Sequence, residues 1–313
     1  MAFKTLVTRT AKTEEAYRQR LASLIAMAAR ETFAEPSLPA TALWFVSQHE
    51  RWRRATVAQY RASLQFGAGE ALHAGGVSAR MAEQLTAVLA NGPRHKVGGV
   101  KLTSSRKRKT LPDADIDALI ASIRLGTHRL DRLLRAYIAF SIIFFPRPSE
   151  WATARIEGSY LLFENAKNTN GRSHGRERSL SISGLDLPSQ GLLAQFLRDM
   201  TAHATSEGSH AKLMTLLAAR LARHSKQAGI TRVAPYTLRH LGMATAKRFL
   251  QIEEVAAAAG HGSSRTASEH YAKRRYGRIS PTFVPRPAAE DVARVRRTAK
   301  AFKVTANQPK STP

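Results

Sequence analysis

The sequence predicts a mainly α-helical chain in two domains, the second of which contains a small antiparallel β-sheet. Three observations lead to this fold class. Apolar residues recur at helical spacing over residues 1–95 and again after residue 112. The period changes to strand-like alternation only over residues 154–182. Residues 91–112 carry Gly, Pro and a run of cations without apolar periodicity, so we expect a linker there.

The first domain is expected to consist of helices alone. Thr13 opens a helix with the pattern of a capping box, and apolar residues follow it on one face. Pro36 and Pro39 are expected to interrupt the chain before helical spacing resumes over residues 42–49. Further helices are expected to begin near residue 55 and to cover residues 81–89.

The second domain is expected to begin with a helix that starts at Asp113 or Asp115. A strongly apolar helix should follow and end at a Pro-Arg-Pro sequence, and then a hairpin with its turn at residues 168–171. The apolar helix is expected over residues 133–145. Further helices are expected over residues 192–200, 213–227 and 288–303, and another is expected to begin at residue 235. We place the domain boundaries at residues 1–95 (helical domain), 96–111 (linker), 112–285 (second domain) and 286–313 (C-terminal helix and tail).

The charge balance indicates the class of partner. The chain has 49 Lys and Arg against 23 Asp and Glu, a net charge of +26. A balance this basic implies a polyanionic partner, and nucleic acid is the usual one. The chain has no cysteine, which excludes disulfides and thiolate chemistry. Without a membrane span or signal peptide, we expect no membrane partner and a cytoplasmic, nucleoid-associated location.

Two basic clusters are candidates for contacts with a nucleic-acid backbone. In the first domain, Arg51, Arg53, Arg54 and Arg61 lie close in sequence to aromatic residues. In the linker, Arg106, Lys107, Arg108 and Lys109 form an uninterrupted run that repels itself unless an anion is near. The alternatives are a solvated basic face for the first cluster and a nuclear-import signal for the second.

The residue types with the clearest chemistry occur in the second domain. Arg239, His261 and Tyr271 fall within one stretch of residues 235–276. A phenol can act as a nucleophile, and Arg donates two parallel hydrogen bonds to a phosphate, so this set suggests attack on a phosphodiester. Prolines on both sides hold Arg147 at the end of a helix, and Glu150 could orient its guanidinium. The alternative is a basic helical segment whose His and Tyr only pack or face solvent.

These pieces together resemble the tyrosine recombinase (phage integrase) family over residues 10–285. The resemblance rests on FFPRPSEW at residues 144–151, the hairpin Lys167, PYTLRH at residues 235–240, AGH at residues 259–261 and HYAKR at residues 270–274. TEEAY and TVAQYRASL in the first domain resemble the core-binding domain of the family. The resemblance implies a SAM-like core-binding domain followed by an α+β catalytic domain with the DNA breaking-rejoining fold.

The resemblance also implies a function and its residues. It implies a site-specific DNA recombinase that cleaves and rejoins strands through a 3′-phosphotyrosyl link, without metal or cofactor. The implied partners are double-stranded DNA, a homo-tetramer on that DNA formed from a monomer or weak oligomer, and accessory DNA-bending factors. The implied catalytic residues are Arg147, Lys167, Tyr236, Arg239, His261 and Tyr271, with Glu150 and His240 supporting them.

Two departures from the family pattern leave alternatives open. Tyr236 stands where the family usually has His or Lys, and a phenol is a poor proton acceptor near neutral pH. The interval from His261 to Tyr271 is one residue longer than the commonest spacing, which leaves Tyr276 as a rival nucleophile. The alternative functions are a catalytically impaired, sequence-specific DNA-binding protein of the same fold and a type IB topoisomerase-like enzyme.

Overall fold

The computed structural model describes residues 10–33, 35, 37–95, 108–168 and 173–297. The chain divides into two compact units, Met1–Leu102 and Thr103–Pro313. Its mainly helical content with one small antiparallel sheet confirms the fold class predicted from the sequence. No helix in the described ranges is long and apolar enough to cross a membrane.

The described part of the first unit contains four helices: α1 (Ala11–Thr32), α2 (Leu38–Ser47), α3 (Arg54–His73) and α4 (Ala79–Ala90). Helix α1 begins earlier than its sequence pattern predicts, because Thr10 is the N-cap and its hydroxyl accepts a hydrogen bond from the backbone N–H of Thr13 at 3.3 Å. Pro39 does not interrupt the chain. It lies in the first turn of α2, where a helix needs no N–H donor. Pro36 lies outside the described residues.

An aromatic cluster forms part of the core of this unit. Phe45 is fully buried, and its ring stacks on Trp52 at a centroid distance of 5.7 Å. Trp52 also meets the edge of Tyr60 at 5.1 Å and the ring of Trp44 at 5.8 Å. Aromatic pairs of this kind add about 0.5–1.5 kcal/mol each beyond their buried area, so the loop between α2 and α3 is fixed to the helices.

The second unit contains eight helices and three strands among its described residues. The helices are α5 (Asp113–Arg124), α6 (Asp131–Phe144), α7 (Leu187–Ser206), α8 (His210–Gln227), α9 (Pro235–Phe249), α10 (Ile252–Ala258), α11 (Ser264–His270) and α12 (Ala289–Ala293). The strands are β1 (Arg155–Glu157), β2 (Tyr160–Glu164) and β3 (Glu177–Ser181). Short 3₁₀ turns occupy Pro148–Thr153 and Arg274–Tyr276.

The sheet is antiparallel in the order β1-β2-β3 and carries one unusual residue on its buried face. Leu161 pairs with Leu180, and Phe163 pairs with Arg178. Because side chains alternate between the faces of a strand, Arg178 points to the same side as Leu180. Both residues are completely buried, so a guanidinium occupies a position that the pattern assigns to the core. Most of the turn expected at residues 168–171 lies outside the described residues.

The C-terminal segment differs from its sequence prediction. The apolar spacing predicts a helix over residues 288–303, but α12 ends at Ala293. The backbone N–H of Arg296 donates to the carbonyl of Gly262 at 3.1 Å, and the Arg296 carbonyl accepts from Ser264 at 3.3 Å. These bonds pair Arg296 with a neighbouring loop and are incompatible with helical bonding along the segment. Residues 298–313 of the predicted helix and tail lie outside the described residues.

Helices α6 and α9 approach each other closely at Gly242. A Cβ atom there would lie 2.3 Å from the carbonyl oxygen of Ile142 and 2.8 Å from the Cβ of Phe145. Only a residue without a side chain fits this contact. The approach determines where the N-terminal half of α9 lies beside the end of α6.

We expect Gly242→Ala to lower the free energy of unfolding by about 1–3 kcal/mol, since the added methyl forces the two helices apart. Gly191→Ala in α7 is the matched control, because no atom lies within 4 Å of the place that its Cβ would occupy. The control should be neutral or stabilising by about 0.5–1 kcal/mol, as Ala favours helix over Gly. Chemical denaturation measures both, and equal effects would contradict the close approach.

Candidate active site

The end of α6 and the turn after it position Arg147 and Glu150. Phe145 adopts a left-handed conformation with φ of 40°, which ends the helix, and Pro146 and Pro148 fix the backbone on both sides of Arg147. The Glu150 carboxylate accepts hydrogen bonds from the backbone N–H and from Nη1 of Arg147, each at 2.6 Å. Both side chains are buried. The guanidinium is therefore held by the residue three positions further on.

Glu150 also meets two further guanidiniums. Arg178 Nη2 donates to Oε2 of Glu150 at 2.8 Å, and Arg239 Nη1 lies 3.8 Å from the same oxygen. Burial would raise the pKa of Glu150, but the charges of Arg178, Arg239 and Arg147 outweigh burial and hold it far below its usual range. One carboxylate cannot neutralise three guanidiniums. The excess positive charge predicts an anionic ligand at this site.

Arg178 is a member of the site that the sequence analysis did not assign. Its Nε donates to the carbonyl of Ala258 at 2.9 Å and its Nη1 to Oδ1 of Asn165 at 2.6 Å. Burial lowers the pKa of Arg178 to about 10. The available signal was the alternation of Arg178 with Leu180, which predicts that an arginine faces the core. Such an arginine needs a buried carboxylate, and Glu150 supplies it.

Arg239 connects the elements of the site. It is fully buried, and its Nη1 donates to the carbonyl of Phe145 at 2.6 Å while Nη2 donates to the carbonyl of Ala259 at 2.8 Å. These bonds join the start of α9 to the ends of α6 and α10. Its Nε donates to the phenolic oxygen of Tyr271 at 3.3 Å. The guanidinium is thus fixed in place before any ligand arrives.

His261 is neutral and has a defined tautomer. Burial, followed by the charges of Arg239 and Arg147, lowers its pKa well below the ordinary value. Its Nε2 lies 3.2 Å from Nη2 of Arg239, and a guanidinium can only donate, so Nε2 accepts and the proton is on Nδ1. Among the described residues, this buried Nδ1 has no hydrogen-bond partner. It is therefore an unsatisfied donor inside the cluster.

Tyr271 follows directly after α11 and is partly exposed. Its ring centroid lies 5.1 Å from those of both His261 and His240. Burial opposes ionisation of the phenol, but the charge and hydrogen bond of Arg239, with smaller contributions from Arg147 and Lys167, bring its pKa below the usual value. The phenol therefore loses its proton more readily than an ordinary tyrosine.

Helix α9 also holds the segment after Tyr271. Lys247 Nζ donates to the carbonyl of Ala272 at 2.9 Å, and burial lowers the pKa of this lysine to about 8. The backbone N–H of Arg278 donates to the hydroxyl of Thr245 at 3.0 Å. The sequence analysis did not identify Lys247, since its role depends on contacts between distant segments. One helix thus positions both Arg239 and the residue that follows Tyr271.

The other candidates of the second unit lie at the margin of this cluster. Lys167 is exposed just after β2, and the backbone N–H of Ala166 before it donates to Glu150 at 3.2 Å. Tyr236 is 36% exposed in the first turn of α9. Tyr276 is 41% exposed, and its hydroxyl accepts from Arg275 at 2.8 Å. Tyr271, not Tyr276, contacts Arg239.

The basic residues of the first unit differ in their surroundings. Arg51 forms two hydrogen bonds with Glu31, at 2.6 and 2.7 Å, and lies against the rings of Trp44 and Trp52. A phosphate would have to compete with that carboxylate. Arg54 is the exposed first residue of α3, Arg53 is its N-cap residue, and Arg61 is partly buried.

The structure describes only part of the linker cluster. Arg108 donates to the carbonyls of Thr110 and Thr231, at 2.7 and 2.9 Å, and forms an ion pair with Asp115. Lys109 is exposed. Arg106 and Lys107 lie outside the described residues. In the part of the chain that the structure describes, no group of three or more His, Cys, Asp or Glu side chains could hold a metal ion.

We expect Glu150→Gln to destabilise the second unit by about 3–5 kcal/mol, because it leaves Arg178 buried without a counter-charge. Glu157→Gln is the control, since its ion pair with Arg155 is exposed and worth at most about 1 kcal/mol. The folded-state pKa of Glu150 is depressed, so its contribution is present above the unfolded value of 4.5 and declines as pH falls below it. Denaturation at several pH values should show that the difference in unfolding free energy between wild type and Glu150→Gln becomes smaller below pH 4.5. A difference that does not depend on pH would contradict the charge network.

We expect Gly260→Ala to displace His261 from its contact with Arg239 and to lower the free energy of unfolding. Gly260 has φ of 66°, and a Cβ there would lie 2.0 Å from Oδ1 of Asn165. Gly158→Ala is a matched control, since Gly158 has φ of 57° and open space around it. Both variants carry the left-handed strain of about 1–2 kcal/mol, and Gly260→Ala should exceed it by a similar amount. Equal losses of unfolding free energy would show that Asn165 does not press on this turn.

Comparison with known proteins identifies the fold. No protein-family profile matches the chain, and no curated protein matches its sequence. A lambda integrase (75–356) dimer bound to a COC′ core site is 13% identical, with 86% of this chain and 91% of that chain covered and a TM-score of 0.50. A lambda integrase tetramer bound to a Holliday junction is 14% identical, with 85% and 73% covered and a TM-score of 0.50. The chain therefore has the fold of lambda integrase, in agreement with the fold that its resemblance to tyrosine recombinases implies.

Proposed function

We propose that this protein is a site-specific DNA recombinase that cleaves and rejoins DNA strands through a covalent bond to Tyr271. The observation that carries the proposal is the contact between the Tyr271 phenol and Arg239, within a buried cluster of guanidiniums that exceeds its single carboxylate in charge. A nucleophile beside excess positive charge suits attack on a phosphodiester. The net charge of +26 supports DNA as the partner.

In the first step of this mechanism, the oxygen of Tyr271 attacks phosphorus while the bond from phosphorus to the 5′ oxygen breaks. The phenol releases its proton to solvent, which its lowered pKa favours. The leaving 5′ oxygen takes a proton from the ammonium of Lys167, a general-acid role worth about 10²- to 10⁴-fold in rate. The 5′ hydroxyl of another strand then reverses these steps, so the energy of the phosphodiester is kept in the phosphotyrosyl bond.

The cations stabilise the charge that builds on the non-bridging oxygens. Arg147 and Arg239 are held by Glu150 and by backbone carbonyls, so their positive charge is already oriented beside Tyr271. His261 would hydrogen-bond the phosphate or assist Tyr271. Positioned donors of this kind are worth about 3–4 kcal/mol of transition-state stabilisation each. Tyr236 would donate a hydrogen bond to the phosphate, and His240, whose ring adjoins that of Tyr271, supports the nucleophile.

The basic residues of the first unit and the linker are proposed to contact the DNA backbone. Unlike Arg51, neither Arg54 nor Arg61 forms an ion pair with a carboxylate in the described part of the chain, and Arg53 adjoins Arg54 at the start of α3. Lys109 is exposed. Lambda integrase forms a tetramer on a Holliday junction. By analogy we propose a homo-tetramer of this chain on DNA, with accessory DNA-bending factors as further partners.

Two other functions use the same fold. A DNA-binding protein without cleavage is favoured by Tyr236, which accepts a proton poorly near neutral pH. A type IB topoisomerase-like enzyme would share the chemistry and relax supercoiled DNA as a monomer. The hydrogen bond from Arg239 to the Tyr271 phenol, which also helps to lower the pKa of that phenol, favours the cleaving enzymes over the binder, because a binding protein needs no phenol at this position.

We expect the protein to form a covalent adduct with a nicked suicide substrate, and Tyr271→Phe to abolish the adduct while DNA binding persists. Tyr276→Phe is the matched control and should retain cleavage. The substrate is selected from genomic fragments that the protein binds, and adducts are resolved on a denaturing gel. Binding without any adduct in the wild type would favour the non-cleaving protein, and relaxation of supercoiled DNA without sequence preference would favour the topoisomerase.

A further inference from the structure

A second polar cavity lies in the catalytic unit, away from Tyr271. It has a volume of about 950 Å³ and lies between the end of α5 with its following loop and the C-terminal half of α8. Its lining includes Ser122, His128, Arg220, Arg223 and His224, and we call it the α5–α8 cleft. None of the residues assigned to the active site lines it. The volume is in the range of cavities that hold small ligands.

A buried carboxylate behind the cleft orients its donors. Asp131 is 4% exposed and accepts hydrogen bonds from Nε and Nη2 of Arg220, at 3.1 and 2.7 Å. It also accepts from the backbone N–H of His128 at 3.2 Å and lies 3.2 Å from Nε2 of His224. Burial opposes ionisation of Asp131, but these donors lower its pKa, so it stays charged. Arg220 and His224 are thereby fixed before a ligand binds.

The charge of the cleft favours an anion. Asp131 pairs with Arg220, and Glu207 pairs with Arg129 at the rim. Arg223 is exposed at the cleft and forms no ion pair among the described residues. A positive charge therefore remains in the cleft. The hydroxyl of Ser122 lies 3.0 Å from Nδ1 of His224, and Nε2 of His224 lies 3.0 Å from Nη2 of Arg220. Two guanidiniums that line one cleft match the oxygens of a phosphate.

A hydrolytic role for the row Ser122–His224–Asp131 is disfavoured. In a triad, the carboxylate stabilises the imidazolium that forms when the serine loses its proton. Here Arg220 already neutralises Asp131, which weakens that stabilisation. Ser122 also lies within α5, where its oxygen has no neighbouring backbone N–H groups free to hold an oxyanion. The cleft is built to bind rather than to cleave.

We propose that the α5–α8 cleft binds a phosphate group through Arg223 and Arg220, with Asp131 and His224 holding the Arg220 guanidinium in place. The phosphate belongs either to a free phosphorylated ligand or to a DNA backbone outside the cleavage site. Binding in the cleft does not depend on the function of Tyr271, because the cleft shares no residue with that site.

The chain contains no cysteine, so a single Leu125→Cys substitution allows one fluorophore to be placed at the rim, where Leu125 is 87% exposed. Titration of the labelled full chain with inorganic pyrophosphate should change the fluorescence. Adding Arg223→Gln should weaken the response about tenfold or more, because a charge-assisted contact is lost. Arg198→Gln on α7, which removes the same charge away from the cleft, should leave it unchanged. An absent response, or equal titrations for the two Gln variants, would overturn the proposal.

The source of the phosphate is decided by DNA binding of the unlabelled protein. If the cleft holds a DNA phosphate, Arg223→Gln should reduce the slope of log affinity against log salt by about 1, whereas Arg198→Gln should not. If it holds a free ligand, the slope should be the same in both variants while the pyrophosphate response still differs. Whether Tyr271 forms covalent adducts affects neither the pyrophosphate titration nor the salt slope. The proposal for the cleft and the proposed recombinase function can therefore fail independently.

Discussion

The burial of Glu150 among three guanidiniums is the interaction on which the candidate site depends. A carboxylate with no solvent contact is tolerated only because Arg147, Arg178 and Arg239 surround it. In turn it offsets part of the repulsion among the three cations in a confined space. The arrangement leaves excess positive charge beside Tyr271, which lowers the pKa of the phenol and attracts an anion. Stability and chemistry therefore depend on the same contacts.

The position of these side chains is determined by the ends of helices. Phe145 ends α6 in a left-handed conformation and presents its carbonyl to Arg239. Ala259 at the end of α10 presents another, and Gly260 turns the chain so that His261 faces the same guanidinium. Carbonyls at helix C-termini carry partial negative charge, so buried arginines are stabilised there. Arg239 thus satisfies orphan carbonyls of two helices and the phenol at once.

The second unit separates two kinds of basic group. The guanidiniums of Arg147, Arg178 and Arg239 are buried and held by Glu150 or by backbone carbonyls, which leaves them preorganised but costs desolvation. Those of the α5–α8 cleft border solvent, and Asp131 lies buried behind them. The same principle operates in both places, since one buried carboxylate orients cations that an anion can then use. The difference is the phenol of Tyr271, which adjoins only the first.

Local sequence signals were sufficient for much of this protein. Helical periodicity, the alternation around residues 160–182 and the basic linker predict a mainly helical chain with a small sheet, and that fold class is confirmed. The motifs that carry the resemblance select Arg147, Arg239, His261 and Tyr271, which the structure brings into one cluster. The element ends are less well predicted. The start of α1, the effect of Pro39 and the conformation of residues 294–297 differ from their predictions. A short sequence pattern does not show which residue caps a helix or where backbone pairing replaces helical bonding.

The sequence by itself determined the basic character, the helical class and which residues are candidates for the chemistry. Each of these depends on residue type or on neighbours close in the chain. Only the tertiary structure decided that Arg178 completes the charge network, that Lys247 holds the segment after Tyr271, and that Arg51 is occupied by Glu31. Those roles arise from contacts between residues far apart in sequence. The charge of a side chain follows from its residue type, but its contact partner depends on the tertiary structure.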